Sequence, residues 1–487
     1  MARWRKPWLW PRPSPKNCRP PSISRPTTTL SLISICSKAE PVAGGVSSSP
    51  PEPAPVTPTL PELIRVFARI GVLSFGGPAG QIALMHREVV EDRGWLANAQ
   101  FLHALNFCHF LPGPEAQQLA TWIGWRFHGV RGGLAAGLLF VVPGAAVILA
   151  LSIAYALAAG LAWFAALFTG IKAAVLAIVL QALVRIAGRA LDTRFKRGLA
   201  ALVFVALFLF ALPFPLVIVA AALAGLAIAT WRPAWLNLGG GEAPPLLAPR
   251  PWAGSLRTIA IWGAVWAAPL LLILLSLGPD HVLWRIGVLF SRLAVVSFGG
   301  AYAVLAYLAQ AAVAQYHWLT PGEMADGLGL AETTPGPLIL VTQFVGFLAA
   351  WRAPEPFSPL LAGLLGGALT CWVTFAPCFL WIFTFAPWLE RLEHATRLKG
   401  ALAAVTAAIV GVIANLAAWF GLHVLFARTL LVPLGPATLQ VPDWPSFDWQ
   451  AGLLAALAAL AIFRLRWNVI AVLGLAAAGG YVLRSVA

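Results

Sequence analysis

Two copies of one motif string stand 223 residues apart in a chain that is otherwise almost uniformly apolar. Phe67-Ala-Arg-Ile-Gly-Val-Leu-Ser-Phe-Gly-Gly77 recurs as Phe290-Ser-Arg-Leu-Ala-Val-Val-Ser-Phe-Gly-Gly300. The same offset, without a gap, aligns Trp95-Leu96 with Trp318-Leu319 and Pro112-Gly113-Pro114 with Pro335-Gly336-Pro337. Three landmarks at one offset require two related halves, each interrupted at matched places by Gly-Gly and Pro-Gly-Pro. Paired interruptions of apolar segments are the pattern in which broken helices from two repeats build a site at the membrane midplane.

Composition fixes the solvent. The chain is 60% hydrophobic and 10% charged, with a mean hydropathy of +0.81. A soluble domain carries about 25% charged residues, so no polar surface can cover this one. The expected fold is an all-α polytopic membrane protein of two homologous halves, inverted repeats with re-entrant or broken helices. The net charge of +15 clusters in the N-terminal tail and a few loops, as cytoplasmic loops require, which argues against nucleic acid. Five cysteines show no metal-ligand spacing, and no cofactor or metal is expected.

Three regions follow. Residues 1–60 form a basic, Pro/Ser-rich tail, read as disordered or as sequence upstream of the true start. Residues 61–280 and 281–487 are the two repeats. Stretches 134–158, 162–184, 258–278, 360–389 and 400–426 are long enough to cross a bilayer, which takes about 20 residues. Stretches 199–212 and 216–231 make a hairpin around Pro213 and Pro215, and 451–463 with 469–483 make another. The motif-bearing stretches 63–77, 101–111 and 116–125 are shorter and suit half-helices, because broken backbone is tolerated in a membrane only inside protein or along a cavity.

Loop charge orients the halves. Arg185, Arg189, Arg194, Lys196 and Arg197 follow the helix that begins near Gly170, which makes that side cytoplasmic. In the second copy Arg391, Arg397 and Lys399 precede the matching helix instead. The halves are therefore expected to run in opposite directions.

The Pro-Gly-Pro elements read as helix starts, where proline's missing N–H costs nothing. Helices starting at Pro114 and Pro337 would aim N–H groups at a shared point, each start equivalent to roughly half a positive charge. The tips Ser74-Phe75-Gly76-Gly77 and Ser297-Phe298-Gly299-Gly300 add hydroxyls and room for close approach. Beside the breaks lie Glu115 and Gln118, one turn apart on one helix face, and Glu332-Thr333-Thr334 before the second Pro-Gly-Pro. Glu115 either stabilises its own helix start or takes part in transport. Lys172, inside an apolar helix, either neutralises an anion, pairs with Glu115, or snorkels to the outer interface. Arg69 and Arg292 are matched positions that interfacial anchoring explains as well as substrate contact does.

These residues carry a resemblance. Ser74-Phe-Gly-Gly-Pro78, Phe110-Leu-Pro-Gly-Pro-Glu-Ala-Gln-Gln-Leu119, Gly129–Gly133, Ser297-Phe-Gly-Gly-Ala-Tyr-Ala303 and Glu332-Thr-Thr-Pro-Gly-Pro337 make residues 61–487 resemble the chromate ion transporter (CHR) family, in its long two-domain type. The resemblance implies a plasma-membrane carrier that exports chromate and confers resistance, with sulfate as a competing tetrahedral dianion. The residues themselves show an anion-compatible carrier. A carrier of another oxyanion and an anion channel stay open, as does the oligomeric state, a homodimer included. An intramembrane enzyme is disfavoured: there is no His-Glu-x-x-His, no Gly-x-Ser-x-Gly and no paired intramembrane aspartates.

Overall fold

The computed structural model describes residues 57–75, 77–158, 160–237, 252–297, 301–388, 396–435 and 437–486, within one compact unit spanning Pro53–Ala487. Gly76, Phe298, Gly299, Gly300 and the tail up to residue 56 lie outside the described residues.

The first half is α1 (Leu60–Leu73), α2 (Gly77–His86), a π-helical turn (Arg87–Glu91), α3 (Asn98–His109), α4 (Glu115–Ala158), α5 (Ala162–Ala190), α6 (Arg194–Phe210) and α7 (Phe214–Trp231). After α8 (Trp252–Leu277) the series repeats. It runs α9 (Val282–Val296), α10 (Ala301–Ala309), a second π-helical turn (Gln310–Gln315), α11 (Pro321–Thr333), α12 (Val341–Arg352), α13 (Pro359–Phe385), α14 (Thr396–Leu425), α15 (Trp449–Phe463) and α16 (Val469–Val486). A β-hairpin, Thr429–Leu434 with Ala437–Pro442, is inserted between α14 and α15. The protein is thus a helical, multi-pass membrane protein of two repeated halves. Among the described residues α4, α5, α7, α8, α13 and α14 are long and apolar enough to cross a membrane.

The repeat extends to side-chain packing. In α1 the buried stripe is Leu63, Val66, Phe67 and Ile70; in α9 the same offset gives Ile286, Leu289, Phe290 and Leu293, all buried. This i, i+3, i+4, i+7 spacing is one helix face. It packs on α4 in the first half and on α13 in the second. Each π turn is closed by the duplicated tryptophan. The Trp95 N–H donates to the Val89 carbonyl at 2.9 Å, and the Trp318 N–H donates to the Ala312 carbonyl at 2.8 Å.

One difference from the expectation lies in α4. The half-helix and the span after it follow each other directly in the chain, separated only by His128 (φ −131°) and Gly129 (φ +58°). Gly124 faces Gly132 across that break closely enough that a Cβ on Gly124 would sit 2.1 Å from the Gly132 carbonyl oxygen. The two segments therefore fold back on each other. The corresponding second-half connection, between α12 and α13, is longer, and the equivalent close approach is Gly346 against Gly366 and Thr370.

The halves also exchange parts. α5 packs against the α15–α16 pair of the second half, while α14 packs against the α6–α7 pair of the first, and α5 and α14 touch each other. Small residues allow the exchange: Gly170 meets Ala476 and Gly480, and Gly225 meets Gly400. Backbones that approach this closely gain van der Waals contact, the main attraction left between helices in lipid. α8 lies outside, with none of its apolar window buried.

Candidate functional site

The two interrupted motifs meet by reciprocal backbone bonding. The Gly113 N–H donates to the Ser297 carbonyl at 2.8 Å, and the Gly336 N–H donates to the Ser74 carbonyl at 2.9 Å. Each Pro-Gly-Pro is thus tied to the Ser-Phe-Gly-Gly tip of the other half. Both glycines have positive φ, +120° at Gly113 and +92° at Gly336, a conformation that turns the N–H across to the partner tip and that L side chains rarely adopt.

Neighbouring helices press on the crossing in the same reciprocal way. Gly144, which follows Pro143 in α4, approaches the second motif: a Cβ there would lie 2.3 Å from the Pro335 oxygen and 3.1 Å from the Gly336 Cα. Cys378, which follows Pro377 in α13, approaches the first, with its Sγ 2.9 Å from where a Cβ on Gly113 would stand. Carboxamides close two of the carbonyls. Gln118 Nε2 donates to Pro112 O at 2.7 Å, and Gln81 Nε2 reaches across the halves to Gly336 O at 2.6 Å.

The expected site residues divide into those that hold the crossing and those that turn away. Pro112, Gly113, Pro114 and Gln118 sit at the start of α4, and Pro335, Gly336 and Pro337 sit ahead of α12. Gln118 and Glu115 do not act as one polar face: Gln118 turns back to its own Pro-Gly-Pro, and Glu115 pairs with His109 Nδ1 at 3.0 Å. The Gly N–H groups do not stand free, since the opposite serines accept them. Ser297 Oγ donates to Ala294 O, and the Thr333 and Thr334 hydroxyls donate to Leu330 O and Ala331 O, so these three close their own helix ends. Glu332 is buried at the end of α11. The Phe75 N–H donates to Leu73 O. Gly77 opens α2 with φ +70°, and nothing lies within 4 Å of where its Cβ would be.

Lys172 does not pair with Glu115. Its Nζ lies 3.1 Å from Asp326 Oδ1 in α11, and the Tyr155 hydroxyl donates to Asp326 Oδ2 at 2.7 Å. Sequence reasoning missed Asp326, Tyr155, His109 and Gln81, because the contacts that define them join distant segments. Arg69 reaches Glu88, a buried carboxylate in the first π turn that Arg93 also pairs with.

Several buried polar atoms on the segments that make or flank the crossing have no protein partner. These are Ser74 Oγ, both amide atoms of Gln117, Gln118 Oε1, Trp122 Nε1 and Thr374 Oγ1, with Gln343 Oε1 in the first turn of α12. Gln117 and Thr374 are fully buried. Thr374 is one turn before Cys378, whose Sγ touches Gly113. A buried polar group left unpaired costs about 1–3 kcal/mol, so a cluster of them demands a ligand or water. Ser74, Gln117 and Thr374 can donate, beside two helix starts that favour negative charge. The only buried cation among the described residues is Lys196, engaged with Asp192 at 2.8 Å at the start of α6. The crossing thus offers uncharged donors and no buried cation among the described residues, with the carboxylates Glu115 and Glu332 at its edges.

The profile of the chromate transporter family matches residues 61–226 and 284–481, one segment in each half. The chain belongs to this family. It is 29% identical over 407 residues to the chromate transport protein of Cupriavidus metallidurans, covering 82% of this chain and 89% of that one. It is 31% identical over 376 residues to the chromate transport protein of Pseudomonas aeruginosa, covering 74% and 81%. A probable chromate transport protein of Synechococcus elongatus is 27% identical over 361 residues, covering 73% and 83%. No solved structure matches the chain. The protein is a membrane transporter of this family, not an enzyme.

Proposed function

We propose that the protein carries chromate out of the cell across the plasma membrane, binding the dianion where the two Pro-Gly-Pro elements cross. The observation that carries this reading is the coincidence of reciprocal backbone ties with unpaired buried donors: the tied segments carry Ser74 Oγ, Gln117 Nε2 and Thr374 Oγ1, none of which has a protein acceptor. Uncharged donors suit a transported dianion, because a tight ion pair would slow its release. Sulfate has the same charge and shape and competes for the same donors.

The halves 61–280 and 281–487 run in opposite directions in this reading. The single apolar helix α8 between them and the opposed loop charges support it. Rocking one half against the other about the crossing then exposes the donors to each side in turn. A dianion leaving an inside-negative cell on its own gains about 4.6 kcal/mol per 100 mV, and one accompanied by a proton half of that, so efflux is electrically downhill without nucleotide.

The test is labelled chromate and sulfate flux in proteoliposomes of the full chain under an imposed potential. Saturable flux with exchange of labelled for unlabelled chromate is expected. Unitary currents without exchange would make the protein a channel, and absence of any chromate flux would end the proposal. Labelling of cysteines placed in 186–197 and 430–446 from the same side would refute the inverted arrangement.

A further inference from the structure

Tyr155 and Asp326, both buried, form with the half-buried Lys172 a polar group outside the crossing. Tyr155 comes from α4 and Lys172 from α5 in the first half, and Asp326 from α11 in the second. The carboxylate is sequestered, with its side chain 7% exposed, whereas the Lys172 side chain is 25% exposed. Tyr155 is fixed edge-on against Phe164, Phe168 and Phe344 at centroid distances of 5.0 to 5.5 Å. These contacts hold the ring with its hydroxyl on Oδ2, independently of Lys172 on the other carboxylate oxygen.

The group exists in one copy. The 223-residue offset puts His103 opposite Asp326, and the match of Gly170 with Gly400 puts Leu402 opposite Lys172. The frame is duplicated but this pair is not, so it serves something other than the frame. It also joins the halves, and any rocking of one half against the other strains it.

We propose that Asp326 is a proton-binding site that couples one proton to each oxyanion, with Lys172 as the exchangeable partner. The proposal rests on the oxyanion-carrier reading above. When the halves rock about the anion bound at the crossing, Lys172 on α5 is drawn away from Asp326 on α11. The carboxylate, too buried to stay charged without its cation, gains one proton from the aqueous side, forming an O–H bond at Oδ1. Tyr155 keeps donating to Oδ2. Nothing is oxidised or reduced, and proton and dianion cross together with a net charge of minus one. When the anion leaves, Lys172 returns and the proton is released.

The charged groups facing Asp326 are consistent with this exchange. α5 supplies Lys172 and α4 supplies Tyr155. Glu323, one turn back on α11, is engaged by Arg352 of α12 and by the Thr320 N–H. The short turn Leu338–Leu340 before α12 carries no ionisable side chain. α14 carries His423, whose Nδ1 bonds to Trp419 O, and Arg397 and Lys399 at its start. Lys172 is the ion-pair partner of Asp326 among the described residues.

The experiment uses the full chain in proteoliposomes with the potential clamped at zero. A difference of one pH unit should drive labelled chromate accumulation of about tenfold toward the alkaline side, since one proton per dianion transmits the whole gradient. Asp326→Asn should lose that accumulation while exchange of labelled for unlabelled chromate stays detectable. Tyr155→Phe removes a hydrogen bond to the charged carboxylate, so protonation moves to higher pH and the pH of half-maximal transport should rise. Wild-type exchange without any response to the pH gradient overturns the coupling and leaves the carrier standing. Absence of exchange in the wild type removes the carrier reading, and this inference with it. If Asp326→Asn does not reach the membrane, an unchanged pH profile in Tyr155→Phe is the result that overturns the assignment.

Discussion

Replacing Gly113 by alanine tests whether the crossing needs its special backbone. At φ +120° an L side chain is strained, which costs about 1–3 kcal/mol. The new Cβ would stand 2.9 Å from Cys378 Sγ and 2.9 Å from Gln118 Nε2. The carboxamide is the free end of a flexible side chain and can shift, but Cys378 is fully buried on α13 and must be displaced. Overpacking of that kind costs about another 1–3 kcal/mol. The sum, roughly 2–6 kcal/mol, is a large share of the 5–15 kcal/mol by which most proteins are stable. Gly113→Ala should therefore lower the thermal midpoint in detergent markedly and abolish chromate flux. The steric share can be isolated. Cys378→Ala in the Gly113→Ala background should return about 1–3 kcal/mol and leave the backbone share, in a double-mutant cycle. It should do nothing for Gly336→Ala, whose Cβ meets Leu340 Cδ1 at 3.0 Å and Gly144 Cα at 3.2 Å instead. Gly77→Ala, with open space around it, should show only the conformational cost of about 1–2 kcal/mol. Equal rescue of both Pro-Gly-Pro variants by Cys378→Ala, or a Gly113→Ala protein as stable as the wild type, would refute the geometry.

Two further outcomes follow from named contacts. Gln117→Leu removes two buried polar atoms that have no protein partner, so the thermal midpoint should rise while chromate flux falls at least about tenfold; a variant that is less stable but fully active would make Gln117 a structural residue. Burial opposes the charge on Glu323, but Arg352 and the Thr320 N–H outweigh it and hold the carboxyl below its ordinary value of 4.5. Its stabilising contribution is therefore complete above that ordinary value and lost as pH falls through the lower folded one. Glu323→Gln should lower the thermal midpoint at pH 7 and narrow its gap to the wild type in strong acid, and a gap that did not change with pH would show that the carboxylate's charge is irrelevant.

What the sequence made legible was whatever backbone stereochemistry marks with a letter. Gly113 and Gly336 stand where φ is positive, Pro213 and Pro215 where the α6–α7 hairpin turns, and the apolar runs bound the long helices. The π turns were not legible, because Arg87-Glu-Val-Val-Glu91 and the corresponding Gln310-Ala-Ala-Val-Ala314 share little. What holds those turns is the backbone N–H of a tryptophan several residues downstream. The exchange of helix pairs between halves and the Lys172–Asp326 pair were equally hidden. Both depend on segments more than 150 residues apart, and no local period records such a contact.

The division between duplicated and single-copy features has a physical reason. The ties across the crossing run from backbone N–H to backbone carbonyl, so they survive divergence of the surrounding side chains as long as the two glycines remain. The charged groups are free to differ, and they do. Glu115 has Leu338 at its matched position, Glu88 has Ala311, His109 has Glu332 and Asp326 has His103. A strictly two-fold set of these charges would place like charges symmetrically about one midplane site and repel either the substrate or each other. Putting the ionisable pairs in one half or across one seam avoids that repulsion.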